Sequence, residues 1–285
     1  MRFLCLLALL GLTLAAPSVL PGPPAKMILG GNPADQGMYP FFVYLKIANS
    51  QGQGRCGGTL ITPNHILTAA HCAYLISPGG STIAAAGLKS IHNLDSTPDV
   101  QVRKVMSYEI HPQYGLQADG GQVNDVAVLT VDKPFEITSF VELAQMKADD
   151  TELQAGHWAT AVGFGAMGFN GPFGPIFSDV LRYAIIPLVP LEDCQKRWAY
   201  VDDNQLCAGG DGDPSYGIGV AKGDSGGPLL LQDSTGALFQ VGITSFGAGN
   251  FVQAHDQKTN PSVFARASKY CDFIEGATGN VFKCL

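Results

Sequence analysis

The chain has 285 residues, 46% hydrophobic and only 14% charged, with 35 glycines, 18 prolines and a formal net charge of −7. That length can bury one compact unit of two lobes, and the scarcity of charge with so many breakers points to an all-β chain of short strands rather than long amphipathic helices. The acidic balance leaves no basic face for nucleic acid or an anionic membrane, so neither is an expected partner.

Residues 1–15 carry one cation, Arg2, then the apolar run Phe3–Leu12, then Thr13-Leu14-Ala15 with small residues where signal peptidase reads. This is the pattern of a secretory signal peptide, and its apolar run is half the ~20 residues a spanning helix needs. Export places the mature chain outside the cell, in an oxidising compartment. It also removes Cys5 from the seven cysteines, leaving six, enough for three disulfides. Residues 16–27, with four prolines between Ala16 and Lys26, read as an exposed linker or prosegment, and 28–285 as one domain.

Within that domain, strands are expected at Phe41–Ile47, Gly58–Ile61, His65–Thr68, Val100–Met106 and Val126–Val131 for a first lobe. A second set is expected at Trp158–Phe164, Leu181–Pro187, Pro228–Leu231, Phe239–Ser245 and Val263–Arg266. The polar stretch Gln145–Gln154 marks the crossing between lobes of about 28–147 and 148–270, with a helix and tail over 266–285. Gly163–Pro175, rich in Gly and Phe, reads as a mobile surface loop, and no internal repeat is visible. Neither a CxxC nor an HExxH pairing occurs, so no metal site or cofactor is expected.

Three motifs stand in fixed order: Thr68-Ala-Ala-His71-Cys72, Asn124-Asp125-Val-Ala-Val-Leu129 and Gly223-Asp224-Ser225-Gly226-Gly227-Pro228. With them, essentially everything from Ile28 to the end resembles the chymotrypsin/trypsin family of serine proteases. The chemistry explains the residue types. A serine hydroxyl is a poor nucleophile at neutral pH and needs a base, here His71, to take its proton. The imidazole needs a carboxylate on its far nitrogen, the role of Asp125. The amides of Gly223 and Ser225 must converge on the developing oxyanion.

The resemblance implies two six-stranded antiparallel β-barrels with a short C-terminal helix, and an acyl-enzyme endopeptidase made as a zymogen and acting as a monomer. Its partners would be protein or peptide substrates, an activating protease and protein inhibitors. It implies that Ser245 bonds Asp125, and that Ile28, freed by cleavage, pairs its ammonium with Asp224. The basic residue is Lys26, with Met27 intervening, so cutting after Met27 is expected. It places the pocket for the substrate's P1 side chain between Gly219, Ser245, Phe246, Gly247 and Ser262. With no acid there, a chymotrypsin-like preference for large apolar side chains is expected, elastase-like being the alternative. Asp256, in the long loop 248–260, would admit basic residues only if it reached the pocket. Cys56–Cys72 and Cys194–Cys207 match family bridges, leaving Cys271–Cys284. Ala221 replaces a family cysteine, and Leu88 stands where calcium-binding relatives have a carboxylate. A rival class is a non-catalytic homologue that binds or inhibits; the other five histidines read as solvent or turn residues.

Overall fold

The computed structural model describes residues 31–285 except 50–51, 78–80, 95–96, 119, 152, 154–156, 171–173, 214–215 and 234. The expected signal peptide and prosegment, and Ile28, lie outside the described residues.

Six strands form the first barrel: β1 (Phe42–Asn49), β2 (Gly52–Thr62), β3 (His65–Thr68), β4 (Ile83–Ala86), β5 (Gln101–Ile110) and β6 (Ala127–Val131). They close antiparallel in the ring order β1-β2-β3-β6-β5-β4. The second barrel comprises β7 (Trp158–Gly163), β8 (Arg182–Val189), β9 (Gln205–Ala208), β10 (Pro228–Gln232), β11 (Leu238–Phe246) and β12 (Ser262–Arg266). Its ring, β7-β8-β9-β12-β11-β10, repeats the same order. The repeat is one of topology, carried by strand pairing and not by similar residues. Closure leaves neither sheet with a free edge to template aggregation.

Two of the barrel strands escaped the sequence reading. Strand β4 is Ile-Ala-Ala-Ala and β9 is Gln-Leu-Cys-Ala, both poor in the β-branched and aromatic residues that signal strands. Tertiary pairing on both sides holds them extended nonetheless.

One apolar cluster fills the first barrel, including Leu45, Leu60, Ile66 and Leu129, and extends to Ile274 of the C-terminal helix α4 (Cys271–Ala277) and to Phe282 beyond it. The second barrel is filled by Ala161, Ile186, Leu229, Val241 and Phe264. Between the barrels an aromatic layer joins Phe42 and Tyr44 to Phe164, with ring centroids 5.8 and 5.4 Å apart. Phe164 is 1% exposed, so the segment expected to be a mobile loop from Gly163 onward begins in the core. It continues as a hairpin pairing Ala166–Phe169 with Pro175–Phe177. Leu88 is buried in the same layer.

Disulfides join Cys56–Cys72, Cys194–Cys207 and Cys271–Cys284, with Cα atoms 6.3, 6.2 and 6.0 Å apart. Among the described residues no helix is long and apolar enough to cross a membrane.

Candidate active site

The site lies where the barrels meet. β3 ends at Thr68, and the short helix α1 (Ala70–Tyr74) turns His71 toward the second barrel, its base tied to β2 by the Cys56–Cys72 bridge. Asp125 follows Asn124, whose φ of 50° is a left-handed turn that asparagine tolerates. That turn sends the Asp125 side chain inward, to 1% exposure.

Three donors converge on Asp125. The His71 backbone N–H donates to Oδ1 at 2.9 Å, His71 Nδ1 lies 2.8 Å from Oδ2, and Ser245 Oγ donates to Oδ2 at 2.5 Å. An ionised carboxylate only accepts, so Nδ1 carries its proton and Nε2 is left as the free base. Buried carboxylates need such partners, and these three also fix the plane of the imidazole.

Ser225 is partly exposed in the turn before β10. Its carbonyl accepts the Gly57 N–H from β2 at 2.7 Å, and the Gly226 N–H donates to Thr244 O at 2.7 Å. Gly57 and Gly227 pass so closely that a Cβ on Gly57 would sit 2.8 Å from the Gly227 Cα. The Gly57-Gly58 pair, conspicuous inside a strand, was the available sequence signal for this approach. Among the described residues no hydrogen bond connects Ser225 Oγ to His71 Nε2, which instead contacts Cys72 Sγ at 3.6 Å. Both side chains line the same cleft. The sulfurs of Cys56 and Cys72 are also close to His71, but they are joined to each other and form no ligand set with it.

Gly223 has φ of 99°, a conformation side chains resist. Asp224 beside it is fully buried. Its Oδ1 accepts the Gly165 N–H at 2.7 Å and its Oδ2 the Ala221 N–H at 2.9 Å. A Cβ at Gly163 or at Gly165 would collide with this carboxylate, so the Gly-Phe-Gly segment is the wall of its niche. Among the described residues no cation pairs with it, and burial pushes its carboxyl up to about 7 against the downward pull of the two N–H donors. The sequence reading did not identify the Gly163 and Gly165 wall.

Ser225 stands between two depressions. One, about 310 Å³, is lined by His71, Ser245, Phe246, Gly247, Val220 and Ala254 among others. The second, about 650 Å³, is lined by Lys46, Arg55, Leu75, Phe177 and Gly223, and meets the first at His71, Lys222 and Ser225. An extended chain crossing both would present a bond to Ser225 from its interior rather than its end. Of the expected pocket residues, Ser245, Phe246 and Gly247 line the first depression. Gly219 and Ser262 do not: both are buried. The cause is Gln257, whose side chain occupies the space against Gly219. Asp256 is exposed and accepts the Thr259 N–H at 3.2 Å. Of the remaining histidines, His111 heads a turn, its carbonyl accepting the Tyr114 N–H at 2.9 Å, and its ring packs edge-on to Tyr270 and Phe273, centroids 5.4 and 5.0 Å away.

The family model described as Trypsin matches residues 28–274. The chain is 32% identical over 248 residues to a protein named Trypsin from Saccharopolyspora erythraea, covering 87% of this chain and 96% of the relative. It is 31% identical over 263 residues to Chymotrypsin-C from Bos taurus, covering 91% of each, and 28% identical over 256 residues to Chymotrypsin-C from Rattus norvegicus, covering 87% of each.

Proposed function

Since this chain belongs to the trypsin family of serine endopeptidases, we propose that its peptide-bond hydrolysis runs through His71, Asp125 and Ser225. The observation that carries the assignment is the line of bonds from Ser245 through Asp125 to His71 Nδ1, which frees Nε2 beside a cleft shared with Ser225. Substrate binding aligns the Ser225 hydroxyl with Nε2, a contact that is commonly long before substrate arrives. Ser225 Oγ then attacks the scissile carbonyl carbon while its proton passes to Nε2. The carbonyl oxygen takes the charge and accepts from the N–H groups of Gly223 and Ser225. Collapse breaks the C–N bond, the amine leaves with the proton from Nε2, and water repeats the cycle on the acyl-enzyme. Asp125 holds the tautomer and stabilises the imidazolium throughout.

The precursor reading extends the same chemistry. Residues 1–15 direct secretion, and cleavage after Met27 frees the Ile28 ammonium to pair with Asp224, whose buried carboxyl has, among the described residues, backbone donors alone. Protein substrates, an activating protease and protein inhibitors are the partners, and the enzyme works as an extracellular monomer. A pocket with no carboxylate among its described lining residues supports apolar P1 side chains. Large ones, in the chymotrypsin-like manner, were favoured by the glycines at 219 and 247; the elastase-like reading is favoured by the occupied space at Gly219.

The test is to activate the secreted protein, offer internally placed peptide bonds, and repeat with Ser225→Ala. The expected result is endoproteolysis, and Ser225 labelling by an organophosphonate, in the wild type alone. A matured protein that neither cleaves nor labels would instead be a binding homologue.

A further inference from the structure

The loop after β11 does more than border the cleft. Its helix α3 (Phe251–His255) begins at Asn250, whose Oδ1 accepts the Gln253 N–H at 3.1 Å. Two residues past the helix the chain turns Gln257 inward, to 1% exposure. Gln257 Oε1 accepts from Ser262 Oγ at 2.9 Å, and its Nε2 donates to Ala254 O at 2.8 Å. The same carboxamide takes the volume that a Cβ on Gly219 would need, and backs onto Gly209 as well. A side chain at either position would expel it.

The plug is also anchored from behind. Arg197 Nε donates to Asn260 Oδ1 at 2.7 Å, Asn260 N–H donates to Asp256 O at 2.8 Å, and Trp198 Nε1 donates to Pro261 O at 2.9 Å. Displacing Gln257 therefore breaks two hydrogen bonds of a buried amide, leaves Ser262 Oγ and Ala254 O without those partners, and works against a loop pinned at its far end.

We propose that Gln257 sets the depth of the P1 pocket, closing it at Ala254 and Gln257 instead of at Gly219, so that aliphatic side chains are preferred to aromatic ones. This rests on the endopeptidase reading and names its substrate class. A pocket whose base is a filled, hydrogen-bonded amide has no room for a ring to descend toward Gly219. Among the described residues it also offers no carboxylate to hold a lysine or arginine. Gln257 is thus a specificity-determining residue supplied by a loop, standing in the place that a side chain on residue 219 would otherwise take.

The test is a set of kcat/KM values for activated enzyme on peptides differing only at P1: Ala, Val, Leu, Phe and Arg. The wild type should favour the aliphatic members. Gln257→Ala should raise the Phe-to-Val ratio at least about tenfold, since even one methylene of pocket space discriminates by about 10- to 200-fold. Gln257→Met, which keeps the volume without the amide, should keep the wild-type order whatever its absolute rate. A structural role alone would lower all rates together and leave the ratio unmoved, and that result overturns the proposal. So does a wild type that prefers Phe, a reading that stands even if Gln257→Ala fails to fold. A wild type that cleaves none of the peptides and takes up no phosphonate at Ser225 would overturn the endopeptidase reading and this pocket assignment together.

Discussion

The Gly165 N–H donates to Asp224 Oδ1 at 2.7 Å in a niche where residue 165 can carry no side chain. Burial raises the Asp224 carboxyl from its ordinary 3.8 to about 7, while its two backbone donors oppose the rise. Between those pH values the folded chain keeps a proton that the unfolded chain has released. Stability therefore falls as pH rises from about 4 to about 7, with no contribution below that window and the whole penalty present above it. For the chain still carrying its N-terminal segment, thermal melts from pH 4 to 8 should show this decline, and Asp224→Asn should flatten it. Equal slopes in both proteins would refute the assignment.

Ser245 acts through Asp125 and is a positioning residue. Ser245→Ala removes a hydrogen bond to a charged group, worth about 1.5–3 kcal/mol, so kcat should drop by about 10- to 100-fold with KM within about threefold. Asp125→Asn should cost about 10⁴-fold in kcat, because the imidazole then adopts the wrong tautomer. Rates per site, counted by active-site titration, separate this from misfolding. If Ser245→Ala merely lowers the titre, the positioning role is wrong.

The Cys271–Cys284 bridge closes 13 residues of sequence and clamps the tail, with Phe282, onto the first barrel. Loops of this size contribute about 3 kcal/mol when cross-linked. The double replacement by serine should lower stability in urea by about 2–3 kcal/mol while the kcat of folded enzyme stays near wild type.

The larger depression beside Ser225 contains Lys46, Arg55 and Lys222, and no carboxylate lines it among the described residues. Arg55 is stacked 4.2 Å over Phe177. With P1 in the smaller depression, this one receives the leaving-group side of the substrate. Peptides with Asp or Glu just after the scissile bond should be cleaved faster than those with Lys, by a factor that shrinks in high salt. Lys222→Glu should narrow the gap; a salt-independent ratio would count against the reading.

The strands rich in β-branched and aromatic residues were legible because burial on one face imposes a pattern on neighbouring positions. Alanine-rich β4 and the Gln-Leu-Cys-Ala strand β9 carry no such pattern and owe their extension to partners on both sides. The loop reading of Gly163–Pro175 failed for a related reason: its glycines serve close approach to Asp224, and Phe164 belongs to the interbarrel core.

By itself the sequence determined the class of chain, the residue types of the candidate site and the family, since nucleophile, base and carboxylate each sit in a short motif whose chemistry is local. Only the tertiary structure decided which side chain fills the base of the pocket and what encloses Asp224. In an irregular loop a single residue's step separates exposed Asp256 from buried Gln257, and the Asp224 niche joins positions 59 residues apart. Such contacts depend on where the second barrel brings its loops together, a matter of long-range packing that no local pattern of residues encodes.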